Sequence, residues 1–224
     1  MDHVNINEDG VSQTVELYMF KILVVGEMAV GKTSFVRRYV DGHFSDNYKA
    51  TINVDFATKS IKWSENCQAN IFFWDLAGQE RMRSQTASYF RETPGAIFVC
   101  DIGRDDKGNN IKAWKELLDE RCTLNGEPNK TLSILLVNKI DTIGNIDNVD
   151  ITRFDEMAKS CGMIGAYPIS AKTSEGIDIA MKVLLTQLIK AQRISMKNKI
   201  PEMQEMDKVK LEQYKEKDSE SSCC

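Results

Sequence analysis

Residues Gly26 to Ser34, GEMAVGKTS, have the types and spacing to hold a polyphosphate. In a Gly-x-x-x-x-Gly-Lys-Ser/Thr loop the backbone N–H groups cradle phosphate oxygens, and the dipole of the following helix strengthens the field. Gly26 and Gly31 allow backbone geometry that a side chain would obstruct, and Met28, Ala29 and Val30 make up the turn between them. Lys32 places a point charge on the β- and γ-phosphates. Thr33, followed by Ser34, offers a hydroxyl to Mg²⁺. The pattern arises by chance in roughly one chain of this length in a hundred. Here an apolar run, FKILVV, precedes it and a helical pattern follows. The loop by itself fixes neither the base nor whether the phosphate is cleaved.

The base is read from NKID, Asn138 to Asp141, directly after the run LSILLV. The two oxygens of Asp141 can accept from N1–H and the exocyclic amine of guanine. Adenine has an acceptor at N1 and no amine at C2, so it would leave the carboxylate unpaired, a mismatch that discriminates strongly. Asn138 can hold N7 and O6 or tie neighbouring loops together, and the Lys139 stem can cover the ring. In SAK, Ser170 to Lys172, the N–H of Ala171 can donate to O6, although on its own the tripeptide reads as a helix-entry turn. In WDLAGQE, Asp75 ends an apolar strand facing the loop, where it can order Mg²⁺ through water. Gly78 can give its N–H to the γ-phosphate, and Gln79 is placed to orient an attacking water. Thr51 supplies a second Mg²⁺ hydroxyl, and Phe44, eleven residues after Thr33, can pack edge-on against guanine.

These residues need a scaffold, and the chain alternates in a way that supplies one. Apolar runs MFKILVVG, GAIFVCDI, TLSILLVNKID and AYPIS read as strands. KTSFVRRYVDG, NNIKAWKELLDERC, DITRFDEMAKSCG and GIDIAMKVLLTQLIKAQR read as helices between or after them. ATINVDFATKSIKW and QANIFFWD, joined by SENC, predict an antiparallel hairpin. The expected fold is α/β: a six-stranded, mostly parallel sheet with one antiparallel strand, helices on both faces, and ligands at the carboxyl ends of the strands. The 224 residues read as a flexible acidic lead-in (1–17), one domain (18–195) and a flexible tail (196–224). The net charge of −4 argues against nucleic acid as the main partner. The N-terminus is polar and acidic, unlike a secretory or mitochondrial signal. No apolar run approaches bilayer length. Cys67, Cys100, Cys122 and Cys161 are scattered singles, which fits reduced thiols of a cytosolic protein.

The motifs GEMAVGKT, Thr51, DLAGQE, NKID and SAK, in this order, resemble the Ras-like small GTPases over about Phe20 to Arg193. Within them, INVDF (Ile52–Phe56), RMRSQT (Arg81–Thr86), YFRETPGA (Tyr89–Ala96) and the terminal pair Cys223–Cys224 resemble the Rab branch. The two extra residues in YFRETPGA are similar to the Rab group of lysosome-related organelles. Asn53 departs from the usual Rab glycine, and Met82 from a common aromatic.

The resemblance implies a P-loop GTPase fold and a GTP/GDP switch with Mg²⁺, whose γ-phosphate orders the segments around Thr51 and Gln79. It also implies vesicle-trafficking effectors reading Phe56, Trp74 and Tyr89, an exchange factor, an activating protein, prenylation machinery and a GDP-dissociation inhibitor. The implied protein is a monomer, held reversibly on the cytosolic face of endosomal, lysosome-related or vesicle membranes. SESSCC is no C-a-a-X box. One lipid gives marginal binding and two give stable anchoring, so Cys223 and Cys224 are both expected to carry prenyl groups. Met28 lies where Gln79 and an incoming arginine must meet the γ-phosphate, and its bulk predicts slow intrinsic hydrolysis. The competing readings are a guanine-binding scaffold that never hydrolyses, and a P-loop kinase or ATPase, which Asp141 disfavours.

Overall fold

The computed structural model describes residues 2–6, 12–46, 51–78, 87–104, 109–124, 126–128, 130–143 and 150–197. The chain divides into two compact units, residues 1–185 and 186–224.

The strands of the first unit are β1 (Asp2–Ile6), β2 (Ser12–Val25), β3 (Val54–Ser64), β4 (Cys67–Leu76), β5 (Gly95–Asp101), β6 (Thr123–Leu124), β7 (Glu127–Pro128), β8 (Leu132–Asn138) and β9 (Ala166–Pro168). Among the described residues the α-helices are α1 (Lys32–Asp41), α2 (Asn109–Arg121), α3 (Thr152–Ser160) and α4, which covers 177–197. The main sheet follows the order β3-β4-β2-β5-β8-β9. β3 runs antiparallel to β4, and the other neighbours along this path are parallel. The six-strand path with one reversed strand is the expected one.

The N-terminal segment departs from expectation. Instead of a flexible lead-in to residue 17, β2 already begins at Ser12, and β1 pairs antiparallel with its first part, Asp2 opposite Glu16 and Ile6 opposite Ser12. A strand that starts this early exposes backbone donors and acceptors beyond the reach of β4, whose pairing begins at Glu16↔Cys67, and β1 satisfies them.

Strands β5 and β8 are continuous apolar runs because both faces are covered. In α1, Phe35, Val36 and Tyr39 turn inward, and Gly42 stops the helix at φ 68, its N–H donating to Arg38 O. Helix α2 inserts Ile111, Trp114 and Leu118 into a core with Leu23, Val25, Phe98 and Leu135. Cys67, Cys100 and Cys122 are buried and Cys161 is half-buried, none of them in a disulfide among the described residues. The parallel strands β2, β5, β8 and β9 all end at the same edge, and the functional motifs begin there.

Candidate functional site

The phosphate loop leaves β2 at Gly26 and enters α1 at Lys32. Gly26 has φ 145, and a Cβ there would stand 2.2 Å from the Val99 carbonyl oxygen of β5. Gly31 has φ 97, and a Cβ there would stand 2.2 Å from Asn138 Nδ2. Five successive carbonyls of this loop are held by side chains. Lys32 Nζ donates to Gly26 O (3.1 Å) and Glu27 O (2.8 Å). Arg104 Nη1 donates to Met28 O (2.9 Å), Lys139 Nζ to Ala29 O (2.9 Å) and Asn138 Nδ2 to Val30 O (2.8 Å). Asp101 sits under two of these donors, 2.8 Å from Lys139 Nζ and 3.8 Å from Arg104 Nε. With its carbonyls engaged, the loop is left with N–H groups to offer an anion. Asp101 and Arg104 were not foreseen. Their only signal was a set of charges at the carboxyl end of a strand.

Beside the loop three oxygen-bearing side chains meet. Thr33 Oγ1 lies 2.7 Å from Thr51 Oγ1 and donates to Asp75 Oδ2. Asp75 Oδ1 is buried and has no hydrogen-bond partner among the described residues. An orphaned oxygen on a carboxylate that accepts from Thr33, itself paired with a second hydroxyl on Thr51, fits a hard cation such as Mg²⁺. Burial pushes Asp75 up to about 6, against the pull of the Thr33 hydrogen bond and the Lys32 charge. Burial also draws Lys32 down to about 8, opposed mainly by Asp75. A cation at Asp75 and a phosphate at Lys32 would each relieve the group they touch. Gly78 presses on this corner, since a Cβ on it would stand 2.5 Å from Lys32 Nζ. Asn53 explains its own departure from glycine: it has φ 61, a left-handed conformation that asparagine tolerates, and its carbonyl accepts from Ala77 N–H at 2.8 Å. Gln79 and Met82 lie outside the described residues.

At the other end stand the residues assigned to the base. Ser170 Oγ donates to Asp141 Oδ1 at 2.6 Å and accepts from Thr173 N–H, which fixes the carboxylate. Asn138 is 2% exposed and ties loops together. Its Nδ2 holds Val30 O, and its Oδ1 accepts from Ala171 N–H at 3.0 Å. These bonds make the loop tie, one of the two roles open to Asn138. The Ala171 N–H, assigned from sequence to a base oxygen, here donates to Asn138 Oδ1 beside the base end. One cavity of about 310 Å³, within the range for small-molecule sites, joins the two ends. Met28, Ala29, Gly31, Lys32, Thr33, Ser34, Thr51 and Gly78 line one part, and Phe44, Asn138, Lys139, Asp141, Ala171 and Lys172 the other. Arg37, His43, Ser45 and Asp46 line it too and were missed. Val30 and Ser170 lie buried behind the lining.

Away from the cavity, Phe56 of β3 is the cross-strand partner of Trp74. Their rings meet edge-on at 4.7 Å, and Tyr89 lies 5.6 Å further on. Lys21 Nζ covers Trp74 at 4.4 Å, and Phe56 stays 56% exposed. The aromatics singled out from sequence therefore form one patch. Cys223 and Cys224 lie outside the described residues. Among the described residues no helix is long and apolar enough to cross a membrane.

The profile of the Ras family matches residues 21–190. Human "Ras-related protein Rab-32" is 36% identical over 210 residues, 92% of this chain and 90% of that protein. Human "Ras-related protein Rab-7L1" is 39% identical over 174 residues, 77% of this chain and 84% of that protein. "Ras-related protein Rab-32B" of Dictyostelium discoideum is 35% identical over 210 residues, 93% and 79% respectively.

Proposed function

This chain belongs to the Ras family and, within it, to the Rab small GTPases, and from that premise we propose which of its residues carry the switch. It is a Rab-like GTPase acting in membrane trafficking. In our reading Lys32 and the loop N–H groups take the β- and γ-phosphates, and Asp141, braced by Ser170, reads guanine. Phe44, Lys139 and Lys172 wall the base, and Gln79 orients the attacking water. Thr33, Thr51 and Asp75 would hold Mg²⁺, which when bound neutralises charge on the phosphate oxygens. The observation that carries the reading is the single cavity from Lys32 and Thr33 to Asp141, backed at Thr33 by the buried Asp75, whose Oδ1 is orphaned.

The Phe56–Trp74–Tyr89 patch is the effector surface in this reading, since clustered, half-exposed aromatics are good anchor points. It borders the Thr51 and Gly78 segments, so a partner docked there would sense the nucleotide. The tail beyond residue 195, with prenyl groups on Cys223 and Cys224, holds the GTP form on the cytosolic face of endosomal or lysosome-related membranes. Prenylation machinery and a GDP-dissociation inhibitor handle its lipids, and an exchange factor and an activating protein reset it.

Imaging of tagged wild type, Thr33→Asn and Gln79→Leu tests this. Wild type and Gln79→Leu are expected on membranes and Thr33→Asn in the cytosol, and one common pattern for all three would sink the switch. Met28 is 49% exposed at the cavity wall. Single-turnover hydrolysis should therefore quicken in Met28→Gly by about tenfold, roughly 1.4 kcal/mol off the barrier. Equal rates would remove Met28 from the account.

A further inference from the structure

We propose that Arg38 is a positioning residue that sets how long the nucleotide stays bound, an inference resting on the base lying against Asp141. Arg38 belongs to none of the motifs, and among the described residues its hydrogen bonds go to neither the phosphate nor the metal corner. Among the described residues its guanidinium makes three hydrogen bonds, all to main-chain carbonyls. Nε donates to Ala171 O at 2.9 Å, Nη2 to Lys172 O at 2.7 Å and Nη1 to Gly42 O at 2.7 Å. Its central carbon lies 5.8 Å from the Phe44 ring.

The pattern has a direction. Ala171 and Lys172 form one wall of the base end of the cavity, and Phe44 stands on another. These walls are far apart in the sequence, and Arg38 bridges them. Ala171 is gripped twice, by Asn138 on its N–H and by Arg38 on its carbonyl. The Gly42 bond anchors the same guanidinium at the turn where α1 hands over to the Phe44 segment. A planar group with several fixed donors suits this task, because each bond orients the plane for the others. Removing it leaves three carbonyls to water and frees both base walls to part. The phosphate loop, held by Lys32, Arg104, Lys139 and Asn138, is left as it was.

The test uses the full chain loaded with Mg²⁺ and a fluorescent GDP, chased with unlabelled GDP. Arg38→Ala is expected to speed release about tenfold or more, for GDP and GTP alike. Single-turnover hydrolysis per bound GTP and affinity for tripolyphosphate, which has no base, should stay within about twofold of wild type. Arg38→Lys keeps the charge but offers one nitrogen to three carbonyls, so its release rate should stay close to that of the alanine variant. Arg38→Gln serves if the alanine variant does not fold. Unchanged release, full rescue by lysine, or an equal loss of tripolyphosphate binding would each overturn the proposal. Asp141→Asn runs alongside as the control on the base. If it alters guanine preference while Arg38→Ala does nothing, the Arg38 inference alone fails. If it leaves guanine preference intact, the reading of the base site fails first.

Discussion

Asp141→Asn is expected to convert the site from guanine to xanthine nucleotides. As a carboxylate, Asp141 can accept from both N1–H and the C2 amine, and Ser170 Oγ at 2.6 Å holds it in one orientation. An amide keeps one acceptor for N1–H but turns a donor toward the guanine amine, setting donor against donor. Xanthine carries an oxygen at C2, and the same amide then pairs with it. Two charge-assisted hydrogen bonds are at stake, about 4 kcal/mol together, or roughly a thousandfold in GDP affinity. Competition of GDP and XDP against a labelled nucleotide measures the reversal. A variant that still prefers GDP would mean that Asp141 does not touch the base.

Gly26→Ala is expected to abolish nucleotide binding and to destabilise the whole domain. The added methyl would stand 2.2 Å from the Val99 carbonyl oxygen. Val99 cannot retreat, because β5 is bonded to β2 on one side and β8 on the other. The φ of 145 is itself foreign to an L side chain. Strain and overlap together come to about 4 kcal/mol, a large part of the 5–15 kcal/mol typical of a domain. Gly42→Ala provides the contrast: φ is 68, but nothing lies within 4 Å of the new methyl. It should cost about 1–2 kcal/mol, lower the melting temperature by a few degrees and leave GDP bound. Thermal melts with and without GDP distinguish the two, and equal behaviour would show that the Val99 wall is not what makes Gly26 necessary.

What was legible in the sequence had its reason in side-chain chemistry. A phosphate needs the lysine and glycines, a hard cation needs the Thr33 and Asp75 oxygens, and guanine needs the Asp141 carboxylate, so these residues announce themselves. The strand–helix alternation was equally plain, because buried parallel strands must be apolar throughout. Arg38 and Arg104 were illegible for the opposite reason. They bind peptide carbonyls, which every residue has, so nothing in the sequence of Met28, Gly42 or Ala171 marks the acceptor. The pairing of β1 with β2 was hidden by polar composition, since what it satisfies is backbone. The Asn138 tie also required three dimensions, because only the positions of Val30 O and Ala171 N–H show which protein groups its amide joins.

The grip on the loop carbonyls from Gly26 to Val30 has a consequence for how such a protein can diverge. What is held at positions 28 and 29 is peptide, and any amino acid brings one. Side chains there can be exchanged over generations while the loop keeps its shape, short of branched residues at Ala29, whose φ is 63. Shape and tempo are thereby separated. Lineages built on this frame can drift in how fast their clock runs down without first having to rebuild the pocket that reads it.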